Sequence, residues 1–373
     1  NEPPTWGIEP ASTSTYGRYM SISSFTCARD LLIAAHGTEL TGEAACRSIA
    51  EAFSHVVRHD AAAVMTTDPE THLPAGGIVT GFQTSECVPF WDNELLDPDF
   101  NKFNDLAKSV DPVSTLFEAT DGDLGRSPRY QKLYAASGVS DELRVAFVSG
   151  SSCLAIAAFV RCDGEIYSST EVSDVRNLLG PATRLLRRTL VHMTEPLTSR
   201  GPVVLIVDAD GNVLSKSDGA DEVLDDLINE LEGELPCTVF VAASRARASR
   251  TATRVTSRLR GSSGRGVRIH VSPMSGPTDT VSVTIDSAAP GDLVPILLDS
   301  YGLSERETEI VLMVCRGIGT KEIAHELSIS VHTVRDHLKA IFAKAEVNSR
   351  PELVARLFTN HLLEPFHSTV EHA

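Results

Sequence analysis

Residues 301–356 decide the fold of the C-terminal part of this chain; their sequence is YGLSERETEIVLMVCRGIGTKEIAHELSISVHTVRDHLKAIFAKAEVNSRPELVAR. The stretch contains two S-x-x-E sequences, Ser304 with Glu307 and Ser349 with Glu352. In such a capping box, the hydroxyl and the carboxylate accept hydrogen bonds from N–H groups that otherwise lack a partner at a helix start. We therefore predict that a helix begins at each serine.

Further residues divide the same stretch. Thr320 and Ser330 are suited to cap the starts of two more helices, and Gly317 can end a helix in the left-handed conformation. Pro351 falls in a first helical turn, where its missing N–H costs no hydrogen bond. Together these signals predict four short helices joined by tight turns.

The third predicted helix, residues 331–345, is amphipathic. At roughly 100° per residue, its core-facing stripe consists of Val334, Leu338, Ile341, Phe342 and Ala345. The opposite face and one flank carry the polar side chains His332, Arg335, Asp336, Lys339, Thr333, His337 and Lys344. Such a helix suits the major groove, where its front can contact base edges and its flank phosphates. An ordinary solvated amphipathic helix explains the periodicity alone equally well.

A second predicted helix, residues 321–327, and a turn at 328–329 complete a helix-turn-helix arrangement. From Leu303 to Val354 the sequence resembles, without a gap, the LuxR/FixJ-type helix-turn-helix of bacterial transcription regulators. The resemblance is carried by Leu303, Glu307, Gly317, Lys321, Glu322, Ile323, Ala324, Leu327, Ser330, Thr333, Val334, His337, Lys344, Val347 and Arg350. Two positions depart from the family: Asp336 occupies a base-facing position, and Ala345–Glu346 replaces the usual Leu-Gly before Val347.

The resemblance implies double-stranded DNA and RNA polymerase as partners of a homodimer. The predicted DNA-binding residues are Lys321, Ser330, His332, Thr333, Val334, Arg335, Asp336, His337, Lys339, Lys344 and Arg350. LuxR-type modules generally pair through their fourth helix, where we predict dimer contacts at Leu353, Val354, Leu357 and Phe358. These four apolar side chains cannot all reach one small core. A two-fold dimer would address half-sites about one helical turn apart.

Composition bounds the remaining possibilities. A chain of 373 residues, 42% hydrophobic and 22% charged, is typical of a globular protein with two or three domains. It has no apolar run long enough to span a membrane, and its seven cysteines form no C-x-x-C pair. We expect reduced thiols and a cytoplasmic location. The net charge of −17 should keep non-specific DNA affinity low.

Residues 21–195 have the pattern of a mixed α and β sensor domain. The predicted elements are helices at 25–35 and 42–59, strands at 61–66 and 76–82, an irregular stretch at 83–123, a helix at 128–136, strands at 143–149 and 153–161, and a helix at 171–192. The sequences SGSSCLAIAAFVR (149–161) and VRNLLGPATRLLRRTL (175–190) resemble the GAF-like half of actinobacterial GAF–LuxR regulators.

Residues 201–289 form a second predicted α+β domain. Strands at 203–207 and 213–216 and a helix at 220–231 precede three strands whose alternate residues are mostly apolar. This order resembles a truncated PAS domain. The predicted chain is therefore multidomain α+β: a disordered segment (1–20), a GAF-like domain (21–195), a PAS-like domain (201–289), a linker (290–300), an all-α four-helix LuxR-type domain (301–366) and a tail (367–373).

Two features of the N-terminal part suggest binding. GAF-like folds place loops over a central cavity, so we predict a mostly apolar ligand pocket roofed by Phe82, Phe90, Trp91 and Phe103. These aromatics fit a role as core filling equally well. Residues 235–278 contain eight arginines and no acidic residue. They either line solvated faces opposite acidic neighbours or follow a phosphate backbone.

The leading hypothesis is a transcription regulator whose N-terminal domains hold an effector or a partner and thereby shift the population of DNA-competent dimers. A phosphoacceptor receiver domain is disfavoured, because no strand-end Asp or Lys follows VVLIVDADG (203–211). An acyl-homoserine-lactone receptor is also disfavoured, because the front half lacks the Trp/Tyr/Asp pattern that we associate with that class.

An enzyme fits the sequence less well, because no P-loop, G-x-S-x-G or H-E-x-x-H motif is present. We predict no catalytic site, cofactor or metal site. Two alternatives stay open: a regulator whose N-terminal domains only dimerise and contact proteins, and an enzyme-like GAF domain fused to a DNA-binding module.

Overall fold

The computed structural model describes residues 24–35, 41–68, 71–82, 87–162, 164–191, 201–208, 211–227, 235–248, 255–260, 266–275, 280–287, 298 and 301–358. These residues form two five-stranded antiparallel sheets, followed by four helices that begin at Glu305. The predicted combination of mixed α and β parts with a C-terminal helical part is confirmed at this level.

The first sheet belongs to residues 24–191, which we call the first unit. Its helices are α1 (Ser24–Ala34), α2 (Gly42–Ser54), α3 (Cys87–Leu96), α4 (Phe103–Leu106), α5 (Leu116–Ala119) and α6 (Ser169–Val191). Its strands are β1 (Ala61–Thr67), β2 (Pro74–Thr80), β3 (Val113–Thr115), β4 (Asp141–Ser149) and β5 (Ser152–Arg161), in the order β2-β1-β5-β4-β3. Helices α1, α2 and α6 pack against one face of this sheet.

The prediction of an irregular stretch at 83–123 is wrong, because α3, α4, β3 and α5 lie within it. Helix α3 has no apolar stripe to reveal it, since Trp91, Asn93 and Glu94 point to different sides and all are buried. Helix α5 is a single turn, set by a hydrogen bond of 3.1 Å from Glu118 N to Thr115 Oγ1. Periodicity cannot indicate a helix this short.

The second sheet belongs to residues 203–287, the second unit. Its strands are β6 (Val203–Val207), β7 (Val213–Lys216), β8 (Val255–Arg260), β9 (Gly266–Pro273) and β10 (Val281–Ser287), in the order β7-β6-β10-β9-β8. The predicted alternation is confirmed in β9 and β10, where Val267, Ile269, Val271, Val281, Val283 and Ile285 are buried. Helix α7 (Ala220–Leu227) packs beside β6.

Helix α8 (Cys237–Ala248) was not predicted. Its sequence, CTVFVAASRARA, is apolar around most of its circumference instead of along one stripe. Val239, Val241 and Ala243 are fully buried, and α8 contacts strands of both sheets. A helix that is apolar on all sides is one that is enclosed on all sides.

The two units share one hydrophobic core. A single cluster of buried side chains includes Met65 and Ile156 of the first sheet together with Leu205 and Ile269 of the second. The buried Asp68 carboxylate reinforces this junction, because it accepts hydrogen bonds from Thr71 N (2.8 Å) and from Arg258 N of β8 (2.7 Å). The predicted boundary between the units stays a prediction, but packing joins them.

Several predicted features lie outside the described residues. These are the disordered segment 1–20, the tail 367–373 and the linker 290–300 apart from Leu298. In the described ranges, no helix combines the length and apolarity needed to cross a membrane.

Candidate nucleic-acid interface

The C-terminal helices are α9 (Glu305–Cys315), α10 (Thr320–Glu326), α11 (Val331–Lys344) and α12 (Arg350–Phe358). They enclose a hydrophobic cluster of their own, which includes Tyr301, Ile310, Val314, Ile323, Val334, Leu338, Ile341, Leu353 and Leu357. The prediction of four short helices in this stretch is confirmed.

The helix starts follow the predicted caps with two exceptions. At Ser349 the hydroxyl accepts from Glu352 N (3.3 Å), but Glu352 Oε2 accepts from Asn348 N (2.8 Å) instead of Ser349 N. Ser304 Oγ accepts from Glu307 N (3.3 Å), and Glu307 Oε2 accepts from Ser304 N (2.7 Å), which completes the first capping box. Ser330 Oγ accepts from Thr333 N at 3.0 Å. Helix α10 begins after Gly319, not Thr320, and Glu322 Oε2 accepts from Gly319 N at 2.9 Å.

A tight turn connects α10 with α11. Ser328 adopts a positive φ of 52°, and Ile329 N donates to Ala324 O at 3.0 Å. Arg306 of α9 closes the same end of α10, since its Nη2 donates to Leu327 O at 2.7 Å. These bonds fix the angle between the two helices of a helix-turn-helix.

Helix α11 presents a polar face to solvent. Arg335 is exposed, and the His332 and Lys339 side chains are 84% and 81% exposed. On the other side Val334 is fully buried. Val334 therefore packs in the core, which corrects its prediction as a DNA-binding residue. Lys321, Ser330 and Thr333 are also exposed, whereas His337 is half-buried.

Asp336 is paired within α11. Its Oδ2 lies 2.8 Å from Nδ1 of His332, one turn earlier, and its Oδ1 lies 3.7 Å from Nζ of Lys339. The carboxylate is thus surrounded by the same side chains that were predicted to face the groove. Arg335 makes no comparable pair among the described residues.

Lys344 and Arg350 make contacts inside the four-helix unit. Lys344 Nζ donates to Glu307 Oε2 (2.7 Å) and to Gly302 O (2.9 Å). Arg350 Nη2 donates to Ile318 O at 2.7 Å. These bonds give both cations a structural role without DNA, and their predicted phosphate contacts stay predictions.

Burial raises the pKa of the Glu307 carboxyl, but hydrogen bonds from Lys344 and from the Ser304 backbone outweigh it. The pKa therefore lies below its ordinary value. Glu307 thus remains charged opposite Lys344 under mildly acidic conditions, and the pair ties the end of α11 to the start of α9.

The packing argument for a dimer through α12 needs correction. Leu353 and Leu357 are buried in the unit's own core, and Val354 packs partly against it. The core of the four-helix unit therefore holds more side chains of α12 than we predicted, because α12 packs against α9. The side chain of Phe358 lies outside the described part of the chain.

A contact that the sequence did not reveal lies at the end of α11. Glu346 has a positive φ of 55°, and its Oε1 lies 3.5 Å from Nη2 of Arg187 on α6. The Arg187 guanidinium also lies 5.7 Å from the Tyr301 ring centroid. Arg356 Nη1 donates to Ala345 O (2.6 Å) and Glu346 O (3.0 Å). The departure at Ala345–Glu346 is the signal that could have drawn attention here.

The predicted pocket residues separate into two groups. Trp91 and Phe103 line a cavity beside α3 and α4. Phe82 and Phe90 are not among its lining residues and instead pack partly buried against Ala61, Leu133 and Tyr134. The lining includes Glu94, Lys102, Asp105 and Arg245. The expectation of a mostly apolar cavity is therefore wrong.

Four arginines of the 235–278 segment have partners within the protein. Arg245 donates to Thr71 O and Arg247 to Asp208 O, while Arg258 and Arg268 pair with Asp68 and Asp286. These contacts support a structural role for these four side chains. Among the described residues, no cluster of three or more His, Cys, Asp or Glu side chains could hold a metal ion.

Sequence comparison agrees with the geometry of the four helices. Residues 301–357 match the bacterial regulatory proteins of the luxR family. This match covers the helix-turn-helix formed by α10 and α11 and the helices on either side of it. Residues 301–357 form a luxR-family domain.

Two curated relatives match short stretches of the chain. The monoamine regulon transcriptional regulator of Klebsiella aerogenes is 54% identical over 54 residues, 14% of this chain and 24% of that protein. The oxygen regulatory protein NreC of Staphylococcus aureus is 45% identical over 62 residues, 17% of this chain and 29% of that protein. The chain thus spans less than a third of the length of either relative.

Two solved structures align over more of the chain. Escherichia coli SdiA is 14% identical, with 90% of this chain and 96% of that chain covered, at a TM-score of 0.29. Vibrio cholerae VqmA is also 14% identical, with 43% and 83% covered, at a TM-score of 0.20. These TM-scores are too low to indicate a shared overall fold.

Proposed function

We propose that this chain is a DNA-binding transcription regulator that inserts α11 into the major groove. The proposal is carried by one observation. In a luxR-family domain with a helix-turn-helix, the exposed side of α11 presents Arg335, Lys339 and His332 while its other side holds the core together. This is the division between polar front and apolar back that major-groove recognition needs.

The exposed cations suit two different tasks. Lys321 at the start of α10 is placed to contact a phosphate, as residues before a recognition helix do. Arg335 and Lys339 can reach base edges, and arginine pairs well with guanine O6 and N7. Ser330 and Thr333 at the α11 N-terminus can donate hydroxyl hydrogen bonds to phosphate or base.

The regulatory part of the proposal concerns the other two units. We propose that they correspond to the GAF-like and PAS-like domains expected from the sequence, and that they respond to a ligand or partner. The resemblance of the four helices to LuxR-type regulators supports three further parts of this proposal. These are a homodimer that binds an inverted repeat, contact with RNA polymerase and a cytoplasmic location. We propose no catalytic activity.

Selection of DNA from a random duplex library by the full chain tests the proposed function. We expect enrichment of an inverted repeat whose half-sites are about one helical turn apart. The double variant Arg335→Ala/Lys339→Ala should lose this enrichment. A matched control, Arg29→Ala/Arg47→Ala, removes two exposed arginines from α1 and α2 and should retain it. Failure of the unmodified chain to enrich any sequence, or equal enrichment by the first variant, would overturn the proposal.

A further inference from the structure

A cavity of about 260 Å³ lies where the first unit meets helix α8 of the second. It is lined by Thr71, His72, Leu73, Trp91, Glu94, Leu95, Leu96, Lys102, Phe103, Asn104, Asp105 and Arg245. Ligand pockets commonly measure about 300–1,000 Å³. This cavity is slightly smaller, so it suits a metabolite with a single ring better than a long acyl chain or a nucleotide.

One wall of the cavity is apolar. Trp91 and Phe103 are almost fully buried, and Leu73 is buried beside them. The Phe103 ring is held from behind, because the Arg144 guanidinium lies 4.4 Å from its centroid. A wall of fixed aromatic rings favours a planar apolar group through offset or edge-to-face contact.

Two of the polar lining residues, Arg245 and Lys102, are cationic hydrogen-bond donors. Arg245 Nη1 donates to Thr71 O, and Lys102 Nζ donates to Asp97 O at 2.6 Å. Both side chains keep further N–H groups that no described residue accepts. Because Arg245 belongs to α8 and Lys102 to the first unit, the two cations approach the cavity from different units.

Two carboxylates, Glu94 and Asp105, line the cavity together with these two cations. Glu94 already accepts from Phe103 N and from Arg144 Nη1, both at 2.7 Å. Arg144 Nη2, fully buried behind the same wall, has no hydrogen-bond partner among the described residues. Asp105 is exposed, as is Arg245. Because Glu94 is paired with Arg144, Asp105 is the carboxylate that remains opposite Lys102 and Arg245.

His72 adds a neutral group to the lining. Its Nδ1 lies 3.2 Å from Asn104 Oδ1, and burial lowers its pKa below the ordinary value. The imidazole is thus uncharged at neutral pH and does not change the net charge of the cavity. The charged groups that a ligand meets are Arg245, Lys102, Asp105 and the Glu94–Arg144 pair.

We propose that this cavity binds a small aromatic carboxylate, with its ring against Trp91 and Phe103 and its carboxylate towards Arg245 and Lys102. This inference rests on the ligand-responsive part of the proposed function and names the chemical class of the ligand. A ligand held by groups from both units stabilises their junction. Binding would thereby favour one arrangement of the units over others.

Three probes with the same ring and different charge test the proposal: phenylacetate, phenylacetamide and 2-phenylethylamine. Binding to the full chain is measured by ligand-observed NMR titration and by calorimetry. Ligands of this size reach dissociation constants on the order of 1–10 mM. We expect phenylacetate to bind about tenfold more tightly than the amide, and the amine more weakly still.

Variants locate the site. Arg245→Gln should abolish the preference of the protein for phenylacetate over phenylacetamide, and Lys102→Gln should reduce it. The matched control is Arg247→Gln on the same helix, because Arg247 does not line the cavity. It should leave the preference unchanged. The melting temperature of each variant shows whether it is folded, and Lys102→Gln replaces Arg245→Gln as the test if the latter does not fold.

The outcomes separate this inference from the proposed function. Absence of binding by all three probes up to about 10 mM, a preference for the amine, or an equal preference in Arg245→Gln would overturn the inference. DNA binding is measured on the same samples by fluorescence anisotropy. If phenylacetate is not preferred but DNA binding is intact, only the proposed ligand class is refuted. If phenylacetate is preferred but DNA binding is absent, only the proposed DNA-binding function is refuted.

Discussion

Glu346 is held in a backbone conformation that a glycine adopts more easily. Its φ of 55° lies in the left-handed region, where a residue with a Cβ atom is about 1–2 kcal/mol less stable. The resemblance of this stretch to LuxR-type sequences places a glycine at the same position. The Glu346 carboxylate gains a contact with Arg187 at 3.5 Å, but such a partly exposed pair contributes only about 0.2–1 kcal/mol.

We therefore expect Glu346→Gly to stabilise the luxR-family domain by about 0.5–1 kcal/mol, because the relief of backbone strain exceeds the lost ion pair. Glu346→Ala is the matched control: it loses the pair and keeps the strain, so it should be slightly destabilising. Hydrogen exchange of the amides of α11 and α12, measured by mass spectrometry, reports these changes locally. Equal effects of the two substitutions would contradict the strain argument.

Asp336 departs from LuxR-type sequences. It lies on the exposed face of α11, which we propose to enter the major groove. A carboxylate there is repelled by phosphate, and its contacts with His332 and Lys339 (2.8 and 3.7 Å) offset part of that repulsion. In the complex it can accept a hydrogen bond from a cytosine amino group or hold a neighbouring cation against a base.

Asp336→Ala should raise the affinity for random DNA, since a repulsive charge is gone. Discrimination at one base pair should fall by about 1–3 kcal/mol. Competition binding against a randomised half-site measures both quantities. Glu305→Ala, which removes an exposed acid from α9, is the control and should leave the preference profile unchanged. If Asp336→Ala also leaves the profile unchanged, Asp336 has no part in recognition.

At the scale of elements, the Lys344–Glu307 pair joins the C-terminal end of α11 to the start of α9 at 2.7 Å. The folded-state pKa of Glu307 lies below its ordinary value of 4.5. The pair therefore contributes stability that is fully present above pH 4.5 and is lost as the pH falls through the lower folded-state value.

Lys344→Ala leaves the buried Glu307 carboxylate without its cation, which should cost about 1–2 kcal/mol at neutral pH. The difference in stability between variant and unmodified chain should shrink as the pH falls below 4.5, because Glu307 becomes protonated. Hydrogen exchange of the α9 and α11 amides over this pH range measures the effect. A difference that does not depend on pH would refute the assigned pair.

The sequence predicted elements well where each has one polar and one apolar side. Examples are the helices that begin at the capping serines Ser304 and Ser330, and strands β9 and β10 with their alternating residues. Helices α3 and α8 were missed because they are enclosed on several sides, so no stripe distinguishes them. The strand β4 carries Asp141, Glu142 and Arg144 in fully buried positions, and only the three-dimensional arrangement shows how these charges are paired.

The candidate site was predictable to the extent that exposure follows from helical periodicity. His332, Arg335 and Lys339 lie on the polar face as expected. The contacts of Lys344 and Arg350 within the domain were not predictable, because both involve residues more than 30 positions away in the sequence. The cavity beside Trp91 was misjudged for the same reason, since Arg245 reaches it from the second unit.

With a net charge of −17, the whole chain would have to bind DNA through a small local surface. Lys321, Arg335 and Lys339 are its exposed cations on α10 and α11. If each neutralises one phosphate in both protomers, the log–log slope of affinity against salt should be about −5 per dimer.

Fluorescence anisotropy on a selected duplex at increasing salt concentrations measures this slope. Lys321→Ala should make the slope shallower by about two per dimer, because one contact is lost on each protomer. Lys344→Ala should leave the slope unchanged if its ammonium stays with Glu307. A change of about two for Lys344→Ala would instead restore its predicted role as a phosphate contact.

Site-specific cross-linking tests whether α11 occupies the major groove. The photoreactive residue p-benzoyl-phenylalanine replaces Lys339 on α11 or, as a control, the exposed Glu51 on α2. On a selected inverted repeat, position 339 should cross-link to bases within each half-site, and position 51 should give no cross-link to DNA. Cross-links from position 51 with none from position 339 would contradict the account.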